Sequence, residues 1–290
     1  MTDTEWVLSE TADVHAVLAD DRFIVRSAEA GSPAGTVAWL RASVSRFANG
    51  PEHDRRRALV VAELDRLDPA DLRADARDRA LARLAGLGGA EWADDGAPDA
   101  ETVGRLARQV PAAVLAAQFG AAGPDQVAEA VGAVAAAYFP GAGEAAERAA
   151  DVATASLLDL LAGPGPDEVV ARITVLVQGY DATANLVAAA LSLLPALSPD
   201  VPADRLLAEA AYRRPPVPAL RRVAQEAAQL GDRAIAADDS VVCTVGPAAA
   251  PAGPAAAALT FGYGLRPCPG PAQALALAAG VIDALRGLDG

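Results

Sequence analysis

The chain has no lysine: all 24 of its basic residues are arginine. A Schiff-base lysine and a phosphate-loop lysine are thereby excluded. Cysteine is nearly absent too, with Cys243 and Cys268 the only two among 290 residues. Two thiols make no disulfide framework, which points to a reducing compartment and leaves a metal role for one of them open. No apolar run reaches membrane-spanning length without a charge, proline or glycine, and the opening MTDTEWVLSE is acidic where a secretory leader is basic and then apolar. A cytoplasmic location is the expectation. Positive charge is outweighed by negative, and a formal net charge of −14 argues against nucleic acid or anionic membrane as a partner. Aromatic residues are only 4% of the chain, so helices packed through small side chains are expected.

Hydrophobic residues make up 52% and charged residues 21%, enough in this length for one substantial core or two small ones. Trp6, Val7 and Leu8 suit a short strand, and residues 13–19 a helix with Asp13 near its start. After a GSPAG loop at 31–35, the run 37–47 places Trp39, Leu40, Val44 and Phe47 at helical spacing. Pro51 then suits the first turn of a helix on which His53 and Arg57, four apart, share a face. By themselves those two residues describe a solvated charged face. Residues 69–161 are almost wholly helical in pattern, with breaks at 86–89, 94–98, 120–124 and 140–143. Tyr138 and Phe139 precede the last break, and core filling accounts for them more simply than contact with a ligand.

Beyond GPGP at 163–166, the segment DEVVARITVLVQGYDATANLVAAALSLL suits one long helix, with Asp167 and Glu168 favourable at the positive end of its dipole. Gly179, Tyr180, Asp181, Ala182 and Thr183 form a partly polar patch within that apolar rod. Buried polar groups there want partners or a ligand, while a tolerated glycine with solvent-facing neighbours is the plainer alternative.

One stretch stands apart: residues 259–270, LTFGYGLRPCPG, set a single cysteine among glycines, prolines and one arginine. Gly262, Gly264 and Gly270 allow backbone angles and close approaches that a side chain would block, and Pro267 and Pro269 stiffen the chain on either side of Cys268. Backbone N–H groups around a fixed sulfur, with Arg266 nearby, favour the thiolate that a metal binds. The alternative is two ordinary turns around a small buried thiol. The alanine- and leucine-rich run 272–285 suits a helix packed behind the loop.

FGYGLRPCPG resembles, at every fixed position, the heme-binding loop of the cytochrome P450 family, with Phe261, Gly262, Gly264, Arg266, Cys268 and Gly270 in the matching places. The resemblance implies a mainly α fold with small β-sheets, a trimmed cytochrome P450 architecture in which residues 1–290 form one heme-binding domain. It implies Cys268 as the axial thiolate of heme b iron, and Phe261, Gly262, Arg266 and Gly270 as cofactor-binding neighbours. PEHDRRR is similar to the family segment whose His and Arg hold the heme propionates, which assigns His53 and Arg57 to that work. Arg222, after PPVPAL, matches another propionate-binding arginine.

QGYDAT resembles the family's distal helix, where an acid and a hydroxyl serve oxygen activation. Gly179 and Asp181 match, Gln178 replaces a small residue, and Ala182 stands where a threonine is usual. The catalytic candidates are therefore Asp181 and Thr183. The family's Glu-x-x-Arg pair is incomplete, since Glu209 is followed by Tyr212 and then Arg213. Family members are usually longer, so strands before Trp6, a long loop between Gly246 and Leu259 and strands after the last helix are expected to be missing. The implied activity is monooxygenation of a small organic substrate, with a ferredoxin and its reductase as electron donors. Two alternatives are a heme-thiolate protein using peroxide, isomerising or dehydrating, favoured by Ala182, and a heme-free binding or scaffold protein, favoured by the missing segments.

Overall fold

The structure is a computed structural model that describes residues 4–93, 98–161, 163, 165–194, 200–246 and 259–287. Strand β1 (Glu5–Leu8) and helix α1 (Thr11–Ala19) open the chain, followed by the short strand β2 (Phe23–Ile24). Helix α2 (Val37–Ser43) begins at Thr36, whose hydroxyl accepts from Trp39 N–H at 3.1 Å. The run 37–47 is not one continuous helix. Val44 is extended, at φ −97° and ψ 158°, and Ser45–Phe47 forms a separate 3-10 turn. A β-branched residue between two serines holds the helical state weakly, and this break turns Arg46 and Phe47 independently of α2.

Helix α3 (Gly50–Leu64) has its proline in the first turn, where the missing N–H costs nothing. Its N-cap residue Asn49 makes no side-chain cap, because that side chain pairs with the Val25 backbone in both directions. Helices α4 (Pro69–Ala85), α5 (Ala100–Gln118), α6 (Pro124–Ala136) and α7 (Glu144–Leu160) follow, separated at the glycine and proline breaks; residues 94–97 lie outside the described residues. The long apolar pattern becomes α8 (Pro166–Leu191), which touches α3, α5, α6 and α7. Then come α9 (Ala203–Arg213), strands β3 (Ala219–Ala224), β4 (Ala228–Leu230), β5 (Arg233–Ile235) and β6 (Ser240–Thr244), and finally α10 (Pro271–Arg286), which packs against α4, α5, α8 and α9.

Small residues set the helix spacing, as the composition foretells. A Cβ on Gly280 of α10 would lie 2.3 Å from the Arg73 carbonyl oxygen of α4, so the two backbones meet there without a side chain between them. Arg73 Nε then donates to Asp283 Oδ2 at 2.8 Å across the same contact. On the other side, buried Arg172 of α8 donates through Nε to Glu63 Oε2 of α3 at 2.7 Å and reaches the Phe119 carbonyl at 3.2 Å. Such a pair is well satisfied, and removing either partner would strand a charge in the core.

The main sheet has the order β1-β6-β3-β2, with β1 parallel to β6 and the other neighbours antiparallel. Register places Arg222 of β3 opposite Val241 and Leu220 opposite Cys243. A second, smaller core forms beneath this sheet, where Leu8, Val17, Phe23, Val241 and Leu259 are buried together. Residues 247–258, where a long family loop was expected to be shortened, lie outside the described residues. No helix among the described residues is long and apolar enough to cross a membrane.

Candidate cofactor and active site

The cysteine loop is fastened on three sides. Leu265 N–H donates to the Leu18 carbonyl of α1 at 3.1 Å, Thr260 Oγ1 to the Ala211 carbonyl of α9 at 2.7 Å, and the Gln273 amide to the Leu64 carbonyl of α3 at 3.1 Å. Two glycines are required by conformation, with φ +80° at Gly262 and +68° at Gly264. At Gly270 a Cβ would lie 3.1 Å from both methyl groups of Leu64, a tight fit that a side chain would keep only if Leu64 shifts. Within the loop, Cys268 N–H donates to the Phe261 carbonyl and Gly262 N–H to Leu259 at 2.9 Å.

Cys268 is half-buried and free. Burial pushes its thiol up, while the Gly270 N–H and the Arg57 charge pull it down. The charge acting on the sulfur is therefore that of Arg57, on α3, and not that of Arg266. The Arg266 donors go to the Ala48 carbonyl at 2.7 Å and Asn49 Oδ1 at 2.9 Å. With burial dominant, ionisation calls for a cation on the sulfur, which is what metal binding supplies.

Around the loop three arginines, Arg57, Arg222 and Arg266, have no carboxylate in ion-pair distance among the described residues, and neither does Arg46, whose charge acts on Arg222 and Arg266 from the aromatic side chains of Phe47 and Phe139. Burial lowers the Arg266 pKa to about 10, and the charges of Arg222, Arg46 and Arg57 act in the same sense. Arg222, 6% exposed, is lowered by burial, with Cys243 opposing and Arg46 adding to it. Its guanidinium donates to the neighbouring Arg221 carbonyl at 2.9 Å. His53 is buried and bonded through Nδ1 to Asp54 at 2.9 Å; burial holds its pKa down, and Arg266 and Arg57 hold it down further. Elsewhere in this acidic chain most arginines sit on carboxylates. Cations gathered and left unpaired in a partly buried place are arranged for an anion that the chain does not itself provide.

Helix α8 presents a stripe made by Val175, Gln178, Gly179 and Ala182, spaced i, i+3, i+4 and i+7, and none of these is fully buried. A Cβ on Gly179 would meet nothing nearer than Thr183 Oγ1 at 4.0 Å. The two catalytic candidates lie off this stripe. Asp181 is exposed and accepts from Arg108 Nε at 3.0 Å, while Thr183 is 3% exposed and turned into the helical core. Glu209 pairs with Arg213 four residues on, at the exposed surface of α9.

No family model matches the sequence, and no curated protein matches it. Solved structures do match over nearly the whole chain. P450BioI, solved in complex with hexadec-9Z-enoic acid ligated acyl carrier protein, superposes with a TM-score of 0.75 at 18% identity, covering 98% of this chain and 85% of that one. CalO2 gives 0.72 at 23% identity, covering 97% and 82%. A thermophilic cytochrome P450 from Sulfolobus tokodaii gives 0.67 at 18% identity, covering 99% and 87%. The fold is that of the cytochromes P450.

In a cytochrome P450 fold the residues above fit a heme. A heme iron would take Cys268 as its one protein ligand, the porphyrin supplying the others. The porphyrin also brings two carboxylates, for which Arg57, Arg222 and Arg266 are donors without a carboxylate partner among the described residues, and His53, bonded to Asp54 through Nδ1, a further candidate. The structure gathers these four with Phe261, Gly262, Cys268 and Gly270 into one place. Arg46 was not identified from sequence, and its neighbours Ser45 and Phe47 carry no signal that would have singled it out.

Proposed function

We propose that the chain is a heme-thiolate oxidoreductase that binds heme b through Cys268 and oxygenates a small organic substrate. The observation that carries this reading is the set of unpaired arginines gathered beside a single half-buried thiol. Bound there, the heme would supply oxidant activation, with the thiolate donating electron density that favours O–O cleavage. The protein's own part is to hold and screen. Arg57 offsets the thiolate charge, Arg222, Arg266 and His53 pin the propionates, and the loop glycines let the sulfur approach without a side chain in between. The stripe of Val175, Gln178, Gly179 and Ala182 on α8 would be the surface that faces substrate. Electrons would come from a ferredoxin and its reductase, and residues 1–290 act as one heme-binding unit.

A peroxide-driven variant of this chemistry is the second reading, favoured by a specific feature. The stripe offers no hydroxyl, because Ala182 occupies it, and Asp181 is tied to Arg108. Proton delivery to a bound oxidant would then rest on water or on substrate.

Reduced protein given carbon monoxide should show the red-shifted Soret band of thiolate ligation, and Cys268→Ser should lose it. A colourless protein after expression with ample heme overturns the reading and leaves the heme-free alternative.

A further inference from the structure

We propose that Arg46, with the Tyr138 hydroxyl and Gln178 amide beside it, forms a carboxylate-recognising subsite, so that the substrate is an apolar molecule ending in a carboxylate. This rests on the heme-thiolate reading above. Arg46 is the cation left over. Two propionates call for two or three donors, and Arg57, Arg222, Arg266 and His53 already surround the cysteine loop. Arg46 sits differently, on the 3-10 turn after α2, with its guanidinium carbon 5.6 Å from the centre of the Phe47 ring and 5.7 Å from that of Phe139.

Those rings belong to a cluster. Phe47 and Tyr138 lie 5.3 Å apart, Phe47 and Phe139 6.0 Å, and Tyr138 and Phe139 5.7 Å, which accounts for three of the chain's few aromatics. Phe139 remains 58% exposed, so the cluster has an open lip. Tyr138 is 3% exposed and its hydroxyl is buried without a hydrogen bond of ordinary geometry. Burial raises its pKa well above the usual phenol value, while the Arg46 charge and the Gln178 side chain act on it in the opposite direction. A buried hydroxyl lacking an acceptor, next to a cation lacking an anion, wants one group that serves both.

A carboxylate does so. It accepts two bonds from the guanidinium fork, one from the phenol and one from an amide N–H, and the aromatic cluster and open α8 stripe take the apolar body. Gln178 fits the same account, because it is a long amide where the resemblance expects a small residue. A phosphate dianion fits less well, since it would face a single unpaired cation here. The backbone that holds the cluster is firm: buried Arg41 donates to the Tyr138 carbonyl at 3.1 Å and the Ala137 carbonyl at 2.5 Å, and pairs with Glu147 at 3.0 Å.

The test is calorimetric titration of the full chain as purified, with decanoate and with decanol, in wild type, Arg46→Gln and Tyr138→Phe. Decanoate should bind at least about tenfold tighter than decanol in wild type, as one charged hydrogen bond demands. Arg46→Gln should level the two ligands and Tyr138→Phe should narrow the gap, with heme per chain unchanged in both. Equal wild-type affinities, or a preference that survives Arg46→Gln, overturns the proposal. So does loss of heme from Arg46→Gln, which would make Arg46 a propionate donor. If the wild type takes up no heme, the Cys268 reading fails, while the acid-to-alcohol ratio on that same protein still decides the subsite.

Discussion

Gly264 and Leu18 meet backbone to backbone: a Cβ on Gly264 would lie 2.3 Å from the Leu18 carbonyl oxygen, the same oxygen that accepts from Leu265 N–H. The cysteine loop is thus docked on α1 through a contact that admits no side chain, at a residue with φ +68°. Stacking of His15 on Tyr263, with ring centres 4.0 Å apart, lies over the same junction. Gly264→Ala should therefore combine a left-handed backbone penalty with a clash, costing roughly 1–3 kcal/mol. Chemical denaturation of the variant beside wild type measures it, and an unchanged midpoint would show that the loop can lift off α1 freely.

Removal of Arg57 or Arg222 should weaken heme retention by about 1–3 kcal/mol each, the scale of one charged hydrogen bond. The two should differ in a second readout. Arg57 acts on the Cys268 sulfur, so Arg57→Gln should alter the thiolate spectrum more than Arg222→Gln. Heme transfer to apomyoglobin gives the retention, and full retention in the double variant would exclude this anchoring.

The ligand-free protein should lose stability in mild acid through His53. Burial holds this imidazole below its usual range, Asp54 opposes that, and Arg266 and Arg57 reinforce it. A depressed histidine takes up its proton more readily in the unfolded chain, so its contribution is whole above about pH 6.5 and declines as the pH falls below that value. Denaturation midpoints at pH 7.5 and 5.5 should drop less in His53→Gln than in wild type. Equal drops would assign the acid sensitivity elsewhere. An anion bound among the arginines should shrink the effect, because it offsets the charges that oppose protonation.

Ala182→Thr should place a hydroxyl on the open stripe of α8, beside Gln178 and Gly179, at the modest helix cost of a β-branched residue. Product formed per electron consumed should rise and released peroxide should fall. Asp181→Asn should change this ratio little, because Asp181 is exposed and engaged with Arg108. A strong loss of coupling in Asp181→Asn would mean that Asp181 leaves Arg108 during turnover and serves the site.

Much of the architecture was legible in the chain because its breaks are chemical. Prolines at Pro51, Pro124, Pro166 and Pro271 open helices at positions where a missing N–H is harmless, and the long 3.6-residue pattern could only be a central rod. The helix over 37–47 was not legible as it stands. Its apolar spacing continues through a break that Val44 makes locally.

What the sequence determined about the site is the loop, since residues 259–270 concentrate their glycines, prolines, arginine and thiol within one local turn. Its neighbours were decided by tertiary structure. Arg57 and Arg266 are far apart in the chain, and whether a given arginine acts on the sulfur or spends itself on Ala48 and Asn49 depends on which surfaces pack together. The same holds for Asp181 and Thr183. Two residues apart on α8 they point about 160° apart, and the packing of α5 against α8 left Asp181 to Arg108 and buried Thr183. Arg46 shows the limit most plainly: nothing in its local sequence says that it lacks a carboxylate, because a missing partner is a property of the whole fold.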